Sequence, residues 1–444
     1  MTAPDDAVGR LRELLRIPTV SRPDLSDLDT DAFASFRSTV QALYPALHAA
    51  AERELVLEHT LLYRWPGAAE GPATVLMAHY DVVAAPDEGW THPPFAAELV
   101  GDGARQELWG RGALDDKGSV AAILEGAEAL AETGFVPAHD VYLLFGHDEE
   151  TNGTGAREAA RLLEARGVRI GLVLDEGGAV VDGVFPTVDR PLAVVGVSEK
   201  TTTMIELRVE QQGGHASTPP RETATSRLAR AIVRMNAHPF PATLNPPIER
   251  MLRTIAPHAR GIVRFVLSRP RLFRPLLLQL LTRIGVETSA LLRTTAVATM
   301  LSAGHAQNAL AESATAVVNA RVAIDSDTAR TVRRLKRVIA DDGVTIRVLQ
   351  AARPSAVSAM DGPGWDLVAE TITAVYPDAV VVPYVQTGAT DSRQFSHLSP
   401  TVYRFSPFHM TGEERAALHA KDERIHVRSY LTGIAFFERL IARL

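Results

Sequence analysis

Acidic and histidine residues recur through this chain at the ends of short apolar runs, in TVLMAHYDVV, ELWGRGALDDKGS, VYLLFGHDEETNGTG and GLVLDEGG, and again far downstream in HAKDERIHV. The runs alternate with amphipathic helical segments. ATVLMAH, DVYLLFG and IGLVLDE are separated by VAAILEGAEALAETG, which ends at Gly134, and by TGAREAARLLEARG, which ends at Gly167. Continuous apolar strands alternating with helices predict an α/β fold whose mainly parallel sheet is covered on both faces. In such sheets ligands sit in the crevice beyond the strand ends. A chain that ends strand after strand in acids and imidazoles concentrates them in one place.

The periodicity changes near Ser198. TTTMIELRVEQQ reads as a half-exposed strand and ETATSRLARAIVRMN as a helix; a Pro- and Arg-rich stretch from about 238 to 293 follows. TTAVATMLSAG, ATAVVNARVAI, the helix DTARTVRRLKRVIAD and the strand GVTIRVLQ complete a strand-helix-strand-strand-helix-strand order, the ferredoxin-like split βαβ. The expected organisation is a first catalytic segment over 1–197, an inserted α+β lid or dimerisation domain over 198–355, and a second catalytic segment over 356–444. The apolar insertion suits a lid, an acyl-chain surface or a subunit contact.

Composition narrows the chemistry. The chain has no cysteine, which excludes disulfides and thiolate metal sites and leaves His and carboxylate ligands. Its net charge of -7 offers no overall basic footprint, so no nucleic acid and no membrane partner is expected. LFRPLLLQLLTRI is too short to span a bilayer. MTAPDDAVGRLRELL lacks the apolar core of a secretory signal, so a cytoplasmic location is expected.

The residues themselves leave alternatives open. His79 and Asp81 stand at i and i+2 on one face of a strand, where a carboxylate can fix the tautomer of a ligating imidazole. Asp115 and Asp116 precede a helix; one suits a metal bridge and the other a cap, and both also suit plain capping. Glu149 and Glu150 point apart, so one can hold metal while the other works as a general base, or both can be a solvated acidic turn. So many buried carboxylates would repel one another strongly. Divalent cations relieve that repulsion, and hydrolysis is their usual chemistry.

GRGALDDKGS, GHDEETNGTGA, DEGG, VSEK, GGHAS and TGATDSRQF together resemble the di-zinc peptidases that include carboxypeptidase S, aminoacylase and succinyl-diaminopimelate desuccinylase. The carboxypeptidase S and N-acyl-amino-acid hydrolase branch is nearest. The resemblance runs from about residue 70 to the C-terminus, with only the Pro/Arg-rich stretch poorly matched. It implies two zinc ions per subunit, with cobalt or manganese as substitutes. Their ligands would be His79, Asp115 as the bridge, Glu150, Asp175 or Glu176 with a preference for Asp175, and His419. Asp81 would orient His79 and Glu149 would be the general base. His215 would polarise the scissile carbonyl, often from a partner subunit, so a homodimer through the inserted domain is implied. Asn308, Arg321 and Gly388 would hold substrate, with Thr390, Asp391 and Arg393 bracing the Gly388 loop. His426 falls outside the pattern and reads as a surface or helix-end histidine.

The function these features predict is metal-dependent hydrolysis of an amide or peptide bond beside a free carboxylate, in a small peptide or an N-acyl amino acid. A di-zinc aminopeptidase or dipeptidase, and an inactive metal- or peptide-binding homologue, are the alternatives.

Overall fold

The computed structural model describes residues 4–444 except Asp87, Val184 and Pro186. Met1–Ala3, at the start of the expected first segment, lie outside the described residues. The apolar runs form the middle of an eight-stranded sheet. Its spatial order is Glu52–Val56, Thr60–Trp65, Val141–Gly146, Ala73–His79, Ile170–Val181, Val402–Met410, Leu192–Glu199 and Val380–Gln386. Strand Ala73–His79 pairs parallel with Val141–Gly146 and with Ile170–Val181, and the latter pairs parallel with Val402–Met410. The antiparallel hairpin of Glu52–Val56 and Thr60–Trp65 extends one edge. It was not anticipated, because Glu52–Val56 is mostly exposed and shows no apolar run.

Helices cover both faces, as continuous apolar strands require. Lys117–Glu132 and Val427–Ile441 pack together on one side, and Gly126 allows their backbones to meet: a Cβ there would stand 2.7 Å from the Glu438 amide nitrogen. Thr154–Ala165 lies in the separate apolar cluster on the other face, with Ala156, Ala159, Ala160 and Leu163 fully buried.

Strands Thr201–Glu210, Thr295–Ala303, Ser313–Val322 and Thr345–Ala351 make a second, four-stranded antiparallel sheet. With helices Ala224–Ala237 and Thr328–Ile339 it has the ferredoxin-like order. One face is sealed by those helices; Ile205, Leu207 and Val209 alternate inward there, while Thr202, Met204 and Glu206 face the other way.

The Pro/Arg-rich stretch departs from the expected division at 198–355. Its helices Pro246–Ile255, Gly261–Ser268 and Arg274–Ile284 bury Ile248, Leu252, Ile255, Leu267, Leu277 and Leu281 in the core of the large sheet. Pro246–Ile255 lies against the edge strand Val380–Gln386. Residues 244–292 are thus inserted in the small unit by sequence and packed on the large one in space. Chain order alone hid this, because an apolar helix face does not specify which sheet covers it.

Candidate metal centre

His79 closes strand Ala73–His79 directly opposite Gly146, the last residue of Val141–Gly146. That register sets the imidazole beside the loop carrying Glu149 and Glu150. The loop is pinned by two buried aspartates. Asp148 accepts the amides of Thr154 (2.7 Å) and Gly155 (3.0 Å), and Asp81 accepts those of Glu149 (3.2 Å) and Glu150 (3.1 Å). Asp81 orients His79 differently from the expectation. The ring Nδ1 is 2.9 Å from the Asp81 backbone carbonyl and 3.4 Å from its carboxylate, which is already committed to the two glutamate amides.

Asp115 stands at the centre. One carboxylate oxygen is 2.9 Å from His79 Nε2 and the other 3.0 Å from His419 Nε2, joining residues 340 positions apart in the chain (419 − 79). Glu150 Oε2 lies 3.0 Å from His419 Nε2, and Glu176 Oε1 lies 3.7 Å from His79 Nε2. The series Glu176, His79, Asp115, His419, Glu150 thus continues across both sides of one carboxylate. His419 is turned inward by a backbone φ of 58°, uncommon for a residue with a side chain.

Two aspartates depart from expectation. Asp175 points away from the histidines, with Oδ2 accepting the Ser392 amide at 2.7 Å; alternation along the strand carries Glu176 into the cluster instead. Asp116 makes no capping bond to helix Lys117–Glu132. Its Oδ2 faces the His79 amide at 3.4 Å, and His79, Asp116 and Glu176 bring ligand atoms within 4.8 Å of one another. His79, Asp115 and Glu150 form a second such set.

Asp116 Oδ1 and Glu150 Oε1 are buried without a hydrogen-bond partner. Buried polar atoms left bare are rare and call for an ion or water. Burial pushes Asp116, Glu149 and Glu176 well above the usual carboxyl range, and neighbouring carboxylates add to the effect. Asp115 is partly buried, but hydrogen bonds from His419 and His79 outweigh the desolvation cost and hold it low. Two overlapping three-residue ligand sets that share His79, one of them containing the ionised Asp115, together with bare buried carboxylate oxygens, fit a pair of divalent cations.

The comparisons agree. The sequence model of peptidase family M20/M25/M40 matches residues 75–443. This chain belongs to that family. It is therefore an enzyme, a metallopeptidase or amidohydrolase, and its His/Asp/Glu cluster is of the kind that could hold metal. It is 34% identical over 97% of its length to the human N-fatty-acyl-amino acid synthase/hydrolase PM20D1, covering 86% of that protein. It is 28% identical over 97% of its length to carboxypeptidase S of Saccharomyces cerevisiae, covering 83% of that protein. The M20 metallo-carboxypeptidase Sso-CP2 of Sulfolobus solfataricus shares the fold at a TM-score of 0.69 and 17% identity, with 98% of each chain covered.

Within this M20 chain the remaining residues fall into two groups. Thr390 donates to Glu199 through its amide (3.1 Å) and hydroxyl (3.0 Å), and Arg393 Nη1 donates to the Thr390 carbonyl at 2.9 Å, so these residues hold the Gly388 loop. Asp391 is buried against Gly153 and Gly146, and burial pushes its carboxyl up to about 8. His215 and Asn308 are not at the metal ligands. Both are exposed on the small unit, where the Ala216 amide donates to the Asn308 carbonyl at 3.0 Å and ties the two loops together. Arg321 is half-buried on the open face of the small sheet, its Nη1 donating to Thr202 Oγ1 at 2.8 Å. His426 stands at the start of Val427–Ile441 without a capping side-chain bond, its Nδ1 2.7 Å from Glu414, apart from the centre.

The structure adds three residues. Glu423 accepts the amides of Leu114 (2.8 Å) and Asp115 (3.1 Å) on one oxygen, and Gly112 (3.1 Å) with the Arg111 guanidinium (2.6 Å) on the other. Lys200 is 1% exposed, and its ammonium has no hydrogen-bond partner. Arg293 likewise buries its Nε without one. Lys200 and Arg293 each stand two residues before a cross-strand partner of Arg321 (Thr202 and Thr295), and the Lys200 ammonium feels both guanidinium charges, so the three cations gather at one end of the small sheet. VSEK was visible as a motif, but nothing local marks its lysine as buried.

Proposed function

We propose that this M20 enzyme hydrolyses the amide of an N-acyl amino acid or a short C-terminal peptide, gripping the free carboxylate beside the scissile bond. The observation that carries the reading is the Lys200, Arg293 and Arg321 group. A buried ammonium has a cost that only an anion or a hydrogen-bond acceptor offsets. None of the three makes an ion pair among the described residues. Arg321 is within electrostatic reach of Arg393, Glu199 and Glu149. The names of its relatives, a carboxypeptidase and an N-fatty-acyl-amino acid hydrolase, point to the same substrate class.

His79, Asp116 and Glu176 would hold one cation, Glu150 and His419 the other, and Asp115 both; His-carboxylate sets of this kind favour zinc. Such a pair supplies Lewis acidity toward a carbonyl and acidifies water. The protein's own part is to orient and to move a proton. Glu149, adjacent to the ligand Glu150 and fixed by Asp81, accepts a proton from the attacking water and returns it to the departing nitrogen. A carboxyl whose affinity for protons is raised by burial suits both halves of that transfer. His215 and Asn308 would join the site when the small unit closes or from a second copy of the chain, and we assign to His215 the carbonyl-polarising role.

The test is to compare an N-acyl amino acid with its carboxamide on zinc-loaded protein. Cleavage of the acid alone supports the reading. Equal cleavage of both would remove the carboxylate grip, and cleavage confined to substrates with a free amino group would instead establish the aminopeptidase alternative.

A further inference from the structure

The helices of the Pro/Arg-rich stretch have a second apolar side. On Arg274–Ile284, Leu277 and Leu281 face the core, whereas Leu276, Leu280 and Ile284 form a parallel stripe exposed at 52%, 51% and 43%. Ile262 and Phe265 on the preceding helix and Leu272 between the two are exposed as well. Among the described residues, six of the eighteen exposed large hydrophobic side chains therefore fall within residues 262–284. Scattered singly they would need no explanation, but a cluster does.

The same stretch is cationic. From Arg260 to Val286 the sequence holds arginines 260, 264, 269, 271, 274 and 283, and neither aspartate nor glutamate. Arg260 pairs with Asp189, and Arg271 with Glu249 at 2.8 Å. Among the described residues Arg264, Arg269, Arg274 and Arg283 make no ion pair. Arg269 stacks 4.2 Å from the Phe265 ring centroid. The overall charge of -7 conceals this patch, because acids elsewhere outnumber it.

We infer that this face seats on an anionic lipid surface. Leucine and phenylalanine side chains enter the headgroup boundary while arginines at the rim meet lipid phosphates, the usual pairing for an interfacial helix face. The contact is peripheral, since no described helix is long and apolar enough to cross a membrane. Just beyond the stripe, Glu287 pairs with Arg415 at 3.4 Å, four residues before His419. A surface-bound enzyme would thus hold its metal centre near the lipid boundary, where amphiphilic acyl substrates partition.

Co-sedimentation of the purified protein with phosphatidylcholine vesicles, with and without phosphatidylglycerol, tests this. Binding is expected to the anionic vesicles and to weaken with salt. The double variant Leu276→Ser/Leu280→Ser and the triple variant Arg264→Gln/Arg274→Gln/Arg283→Gln should each reduce it roughly 10-fold or more, while hydrolysis of a short soluble substrate stays unchanged. Equal sedimentation of both variants with the parent, or no binding by the parent, overturns the inference. So does a parent dimer that the Leu276→Ser/Leu280→Ser variant converts to monomer without any vesicle binding, because a second copy would then be the occupant. These readouts are independent of the substrate assignment.

Discussion

Glu423 accepts the backbone amide of Asp115 at 3.1 Å, although 307 residues separate them (423 − 116). The same carboxylate takes the Leu114 and Gly112 amides and the Arg111 guanidinium. The aspartate that joins both histidines is therefore aimed by a residue that touches neither. Glu423→Ala would leave Arg111 buried and unpaired. Loss of one partner of such a pair costs about 3–5 kcal/mol, so a lower thermal midpoint and sub-stoichiometric metal are expected. Glu423→Gln keeps the shape and should fall between the two; calorimetry with elemental analysis reads both.

Glu149 and Glu150 are neighbours with separable parts. Glu149→Gln should lower kcat by about 10²–10⁴-fold, the usual worth of a general base, and leave metal content intact. Glu150→Gln and Glu176→Gln should lose metal as well as turnover. Asp175→Asn, whose carboxylate holds the Ser392 amide, should retain both metals. Retained metal in Glu176→Gln with loss in Asp175→Asn would reverse the assignment of that strand end.

Lys200 gives the carboxylate grip a pH signature. Burial, with the nearby Arg321 and Arg293 charges, brings its ammonium down to about 8. Below that pH it is charged and can bind an anion; above it the charge is lost. For a carboxylate substrate kcat/KM should therefore fall as pH rises past about 8. In Lys200→Met that limb should disappear, with KM raised about 10-fold, the cost of about 1.4 kcal/mol of lost charge-assisted binding.

Metal removal should reverse the way stability responds to pH. Asp116, Glu149 and Glu176 have folded-state proton affinities above their ordinary ones, so the folded state keeps protons that the unfolded chain releases. The contribution of these three groups is then fully present below the ordinary carboxyl range, about 4.5 for glutamate, and is lost as pH rises, whereas that of Asp115, held low, is lost only as pH falls below the range. His79 and His419, also raised, act in the same direction. Chelated protein should melt progressively earlier from mildly acidic to neutral pH. Re-added zinc should raise the midpoint most at the higher pH. A flat chelated profile would count against mutual carboxylate repulsion at this centre.

Much of this was legible in one dimension. Continuous apolar strands must be covered on both faces, so the alternation of run and helix determined a mainly parallel sheet, with His79 at a strand end and Glu149 in the loop after another; the strand carrying Glu176 runs on to Val181. Family motifs supplied the candidate ligands, and the ferredoxin-like unit followed from element order. Tertiary structure decided what depends on direction and partner. Side-chain alternation brought Glu176 inward and sent Asp175 to Ser392. A register shared with Gly146 set His79 beside the glutamate loop. Only packing showed that residues 244–292 cover the large sheet, that Lys200 lies buried without an anion, and that Glu423 aims Asp115. Local sequence records which groups are apolar or charged; the depth of a charge and the group across from it arise only when distant segments meet.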